Sequence, residues 1–98
     1  FMTTTLKHDG FGHYLMSKTT HTSMKHVQYI FRFENDYGAS VVKGLGTYGH
    51  ELDLWELGVI KFDGYDWHLT YDTPITEDAI GYLTDEQVMD ILKQIQAL

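Results

Sequence analysis

Residues 44–49, Gly44-Leu45-Gly46-Thr47-Tyr48-Gly49, fit the pattern G-x-G-x-x-G. In that pattern glycine amides at a helix N-terminus cradle a pyrophosphate. The context argues against it here. His50 to Phe62 reads as a loop and then a strand, and 98 residues leave no room for repeated βαβ units. Three glycines in a connection between strands account for the match, so no nucleotide cofactor is expected. The six histidines raise the question of a metal. His50, Glu51 and Asp53 lie together, and His68 could approach them across a sheet. No HxH, HExxH or Cys/His spacing is present, so the histidines read as surface residues and no metal is expected. Asp63, Asp66, Asp72, Glu77 and Asp78 could serve acid/base chemistry. They fall in turns, where Asp makes local hydrogen bonds, and nothing marks a buried pair with divergent pKa values. Ser17 and Ser40 have no nucleophile elbow or triad context, and there is no cysteine. The chain therefore reads as a non-enzyme.

What remains is recognition. Tyr37, Tyr48, Tyr65 and Tyr82 sit in or beside turns. There they either anchor contacts, as tyrosines do at binding hot spots, or cap the ends of a small core. The net charge of −7 is uneven. Residues 1–50 carry five basic and three acidic side chains; residues 51–98 carry two basic and eleven acidic ones. An acidic half repels a phosphate backbone and suits a basic protein surface, although a solvated acidic face also simply keeps a small protein soluble. The candidate partner-binding residues are Tyr37, Tyr48, Tyr65, Asp63, Asp66, Glu77 and Asp78.

The elements that must position them are short strands. Residues 1–25 are rich in Thr, His, Gly and Ser, and they read as a partly mobile N-terminal arm with one short strand near Gly12–Ser17. From His26 to Glu34, Val27, Tyr29, Phe31 and Phe33 alternate with polar residues, Ile30 excepted, which predicts a strand. Asn35-Asp36-Tyr37-Gly38 is a turn into a second strand, Ala39–Lys43. Leu54–Phe62 is a third strand, apolar on both faces: Trp55, Leu57 and Val59 point one way, Leu54, Ile60 and Phe62 the other. Asp63-Gly64-Tyr65-Asp66 turns the chain into a fourth strand, Trp67–Tyr71, with Trp67, Leu69 and Tyr71 inward. Pro74 ends the sheet, and 76–82 suggests one helical turn. Thr84 with Gln87 forms a capping box, and Val88, Ile91, Leu92, Ile95 and Leu98 make one apolar stripe. The expected fold is α+β: a four-stranded antiparallel meander with a C-terminal helix packed on one face, residues 26–98 forming a single domain. The second apolar face of the third strand needs a cover, from the arm or from another chain.

Four phrases occur together: Tyr29-Ile30-Phe31-Arg32-Phe33, Asn35-Asp36-Tyr37-Gly38-Ala39-Ser40-Val41-Val42, Leu54-Trp55-Glu56-Leu57, and Trp67-His68-Leu69-Thr70-Tyr71-Asp72-Thr73-Pro74-Ile75-Thr76. With them the chain resembles, over residues 26–98, a family of small uncharacterised bacteriophage and prophage proteins. The resemblance implies expression in a bacterial cytoplasm and brings no catalytic residues. Together with the charge it suggests an acidic inhibitor that occludes a basic surface of a host protein, such as a nucleic-acid-binding or defence protein. The alternative is a structural or accessory phage protein acting as a homo-oligomer, for instance a homodimer. No membrane-length apolar run is present.

Overall fold

The structure, a computed structural model, describes residues 5–21, 26–75 and 78–98. Six strands and one helix follow in order: β1 (Leu15–His21), β2 (His26–Arg32), β3 (Tyr37–Lys43), β4 (Trp55–Asp63), β5 (Asp66–Leu69), β6 (Ile80–Leu83) and α1 (Asp85–Gln96). All strand pairs are antiparallel, in the order β1-β2-β3-β4-β5, with β6 on β4. The α+β class with a C-terminal helix holds, but the sheet has six strands where the sequence suggested four.

The two added strands carry weak sequence signals. β1 is exposed over almost its whole length and has no alternation to detect. A 3₁₀ turn, Gly12–Tyr14, occupies part of the stretch where a short strand was expected. β6 has four residues and lies where a helical turn was expected. It shares one edge of β4 with β5: Trp55 and Leu57 pair with β6, and Ile60 to Asp63 pair with β5. Tyr82 within β6 has φ 60°, in the left-handed region where a bulky residue is strained, and the β4–β6 register shifts between Trp55 and Leu57.

Period-two alternation decides which side chains meet. Val27, Tyr29 and Phe31 of β2, Ala39 and Val41 of β3, and Trp55, Leu57 and Val59 of β4 all face one side. α1 lies on that side against β3, β4 and β6, burying Val88, Ile91, Leu92 and Ile95. Leu98, expected in the stripe, falls beyond the helix and is part-exposed. The helix begins as expected: Thr84 Oγ1 accepts from Gln87 N at 3.2 Å, and Gln87 Oε1 accepts from Thr84 N at 2.9 Å. Its last turn is held by a residue from another element. Asn35 Nδ2, in the β2–β3 turn, donates to the carbonyls of Ile95, Gln96 and Leu98. Ile95 and Gln96 lie in the last turn, whose carbonyls have no partner further along the helix; Ile95 O also accepts from Leu98 N at 3.1 Å.

The described part of the N-terminal stretch completes the same side. Leu6 and Phe11 are buried in the helix-side core, Leu6 N donates to Tyr29 Oη at 3.0 Å, and Lys7 N donates to Asp85 Oδ2 at 3.2 Å. The His8 ring packs on Tyr29 and Phe31. The stretch therefore adds to the helix layer and does not cover the opposite face of β4. Lys43 is also on the core side and only 1% exposed. Its Nζ lies 4.2 Å from the centre of the Trp55 ring and bonds Asp53 at 3.1 Å. The Trp55 indole N–H in turn donates to Asp85 Oδ1 at 2.7 Å. A buried ammonium needs such a pairing to offset its desolvation.

Candidate functional site

Among the described residues no helix lies on the opposite face. Alternation there presents Gln28 and Ile30 from β2, Ser40 and Val42 from β3, Glu56, Gly58, Ile60 and Phe62 from β4, and Trp67 and Leu69 from β5. At one end Ile30, Ile60 and Phe62 form a small buried cluster with the Arg32 guanidinium 4.6 Å from the Phe62 ring centre. This explains Ile30, the exception in the alternation of β2: it belongs to the second face.

At the other end two small residues stand side by side. Ser40 pairs directly with Gly58 in the β3–β4 ladder. With almost no side-chain volume in the middle of the sheet, the face sinks into a hollow of about 250 Å³, lined by Gln28, Ser40, Val42, Glu56, Gly58, Trp67, Leu69 and Ala79. A Cβ at Gly58 would lie 2.7 Å from Leu69 Cδ2, the tip of a part-exposed side chain that would have to shift. Gln28 Nε2 donates to Ser40 Oγ at 2.9 Å, and Glu56 Oε1 accepts from Tyr48 N at 3.0 Å. Both bonds hold polar groups at the hollow's floor and end.

Trp67 and Leu69 are 39% and 46% exposed, and Tyr71 is 45% exposed. The sequence reading turned these residues inward. They do share a face with buried side chains, but β5 has a strand on one side only and no layer above it, so they wall an open surface. The sheet's two edges differ in the same way: β5 is short and aromatic, while β1 is longer and polar.

The candidate contact residues do not form one site. Asp63, Tyr65 and Asp66 lie at the β4–β5 hairpin, where Asp63 pairs with Asp66 and Gly64 takes φ 64° in the two-residue turn. Tyr65 is 93% exposed there. Tyr48 is exposed on the β3–β4 loop and linked through its amide to Glu56. Asp78 is exposed, and its carboxylate accepts from the amide of Ala79, a residue of the hollow's rim. Tyr37 is different: it is half-buried against the helix-side core, with Lys61 Nζ 4.0 Å from its ring centre. Glu77 lies outside the described residues. Trp67, Leu69 and Glu56 were missed as contact residues, because the sequence reading turned Trp67 and Leu69 inward, whereas the register sets Leu69 beside Ile60 and Trp67 beside Phe62 on the open face.

The glycine-rich stretch has no phosphate-binding geometry. Gly46 and Gly49 have φ of 88° and 93°, and a single 3₁₀ turn, His50–Leu52, follows them in place of an α-helix. A Cβ on Gly49 would lie 2.9 Å from the Tyr82 backbone, so this glycine also lets the loop close on β6. Among the described residues no group of three His, Asp or Glu side chains could hold a metal ion. Asp53 is engaged with Lys43, and His50 Nδ1 lies 3.1 Å from the Thr47 carbonyl oxygen. A larger depression of about 570 Å³ lies beside the start of β1; of its charged side chains Arg32, Glu34 and Asp36, Arg32 and Asp36 pair at 2.9 Å. Among the described residues no helix is long and apolar enough to cross a membrane. Comparisons with protein-family models, with curated proteins and with solved structures find no match to this chain.

Proposed function

We propose that the chain is a non-enzymatic protein-binding module that docks through the helix-free face of its sheet on a basic surface of its partner. One observation carries the reading. The apolar walls of the hollow, Trp67 and Leu69, stay part-exposed in a protein whose other large strand side chains are mostly buried, and Glu56 lines the hollow while the Asp78 carboxylate bonds the amide of Ala79 at its rim. Aromatic anchors beside a recess, with charge at the rim, are the usual anatomy of a binding surface. The resemblance of residues 26–98 to bacteriophage proteins supports a bacterial host protein as the partner, and the module then acts by occlusion.

Not all of the acidic half contributes. Glu86 and Asp90 ride on α1, in the layer on the other side of the sheet. The charge that steers a partner is therefore local, from Asp63 and Asp66 at the hairpin and Asp78 near the hollow. Steering of this kind raises the association rate and is screened by salt over about 8–10 Å.

The test is affinity capture from bacterial lysate, followed by kinetics with the captured protein in purified form. Trp67→Ser with Leu69→Ser is expected to abolish capture. Asp63→Asn, Asp66→Asn and Asp78→Asn together are expected to slow association more than they change dissociation. Direct DNA binding by the wild type, or capture unchanged by the Trp67/Leu69 pair, would overturn the reading. A homo-oligomer formed through the same face is the second reading, favoured by the same part-exposed apolar walls. Salt separates the two: self-association of chains of charge −7 strengthens as salt screens their repulsion, whereas binding to a basic partner weakens.

A further inference from the structure

We propose that the hollow between β3, β4 and β5 is a receptor for a single arginine side chain projected by the protein partner. This rests on the binding-module reading and specifies the chemistry of its central contact. Three observations converge. The first is size: at about 250 Å³ the hollow is smaller than the roughly 300–1,000 Å³ of small-molecule sites, and it suits one long side chain. The second is the wall. Trp67, Leu69 and Val42 offer apolar and aromatic surface to an aliphatic stem and a flat cation. A guanidinium stacks on such a surface and is more weakly hydrated than an ammonium.

The third is the polar end. Glu56 is half-buried, and Tyr48 N holds one of its carboxylate oxygens, Oε1, at 3.0 Å. That bond fixes the carboxylate in place and leaves lone pairs for a second donor. The Gln28 side chain also lines the hollow, its amide nitrogen donating to Ser40 Oγ at 2.9 Å. A carboxylate held in place beside one tryptophan and an aliphatic wall matches the planar, forked cation of arginine better than the point charge of lysine. The floor is kept deep by the Ser40–Gly58 pair; a Cβ at Gly58 would occupy part of that floor and displace the Leu69 tip, 2.7 Å away.

The full chain, labelled with ¹⁵N, is titrated with N-acetyl-arginine amide and followed by amide and indole NMR shifts. N-acetyl-citrulline amide and N-acetyl-lysine amide serve as comparisons. Saturable shifts are expected for the amides of Ser40, Gly58 and Tyr48 and for the Trp67 indole, the Tyr48 amide reporting directly on Glu56. Glu56→Gln keeps an oxygen for Tyr48 N but removes the charge, and it is expected to weaken arginine binding by about tenfold or more, the scale of a lost charge-assisted hydrogen bond. Gly58→Ala, which leaves Glu56 in place, is expected to weaken it as well by moving Leu69. Citrulline is expected to give no saturation, and lysine a clearly weaker one. Shifts absent from these residues, an arginine affinity unchanged in Glu56→Gln, or lysine binding as well as arginine would overturn the proposal. If the arginine arm fails while capture of the partner still depends on Trp67 and Leu69, the arginine assignment falls alone. If both fail, the binding-module reading falls with it.

Discussion

The same three central strands present two unlike faces. Toward α1 they offer Val27, Tyr29, Phe31, Val41, Trp55 and Leu57, all essentially inaccessible to water and sealed by the helix, Leu6 and Phe11. On the other side the buried large apolar side chains reduce to Ile30, Ile60 and Phe62, and beside them lie a buried glycine and serine and a half-buried glutamate. Strand geometry forces the alternation, but composition decides what each face becomes. Large apolar residues on one parity make a core; small and polar residues on the other make a recess. The faces should therefore respond to substitution in opposite ways, one through stability and the other through binding.

The largest effects are expected on the helix side. Leu92→Ala and Leu6→Ala each remove a fully buried side chain and should cost about 2–5 kcal/mol, read as a shift in the urea midpoint. An unchanged midpoint for Leu6→Ala would show that the N-terminal segment is not part of the core. Next is Asn35→Ala, which frees the carbonyls at the end of α1. A loss of about 1–3 kcal/mol is expected, with faster amide exchange in the last helical turn. Thr84→Ala removes the capping box at the other end and should cost about 0.5–2 kcal/mol by the same unfolding measurement. The smallest effects belong to the open face. Leu69→Ala and Gly58→Ala should each change stability by less than about 1 kcal/mol, because the side chain lost or displaced is part-exposed. A drop comparable to that of Leu92→Ala would make the open face a second core and remove the contrast.

Much of the helix-side face could be read from the chain. The alternation in β2, the two-faced β4, the Asp63–Asp66 hairpin and the Thr84–Gln87 box are local signals, and local geometry realises them. β1 and β6 were not legible for a physical reason. Leu15–His21 is an edge strand with solvent on nearly every side chain, so burial imposes no period on its sequence. Ile80–Leu83 is too short to show a period, and Tyr82 breaks the extended backbone within it. Leu6 enters the core through contacts with residues far along the chain, which spacing cannot encode. The hollow was missed because its signal is a lack of bulk: Ser40 and Gly58 are 18 positions apart, and only the register brings them together. The tyrosine and aspartate candidates were chosen by turn chemistry, which marks exposure but not which loops converge.

The bonds that join the beginning of the described chain to its end bear on how the molecule forms. Lys7 meets Asp85 across 78 positions, Tyr14 Oη accepts from Gln96 across 82, and Asn35 reaches the last helical turn across 60 or more. Contacts this distant in sequence close late, because the entropy of the intervening loop must be lost before they form. Until α1 docks, the aromatic side chains of β2 and β4 stay uncovered, so a chain in which the sheet has formed and the helix has not displays Tyr29, Phe31 and Trp55 to chaperones and proteases.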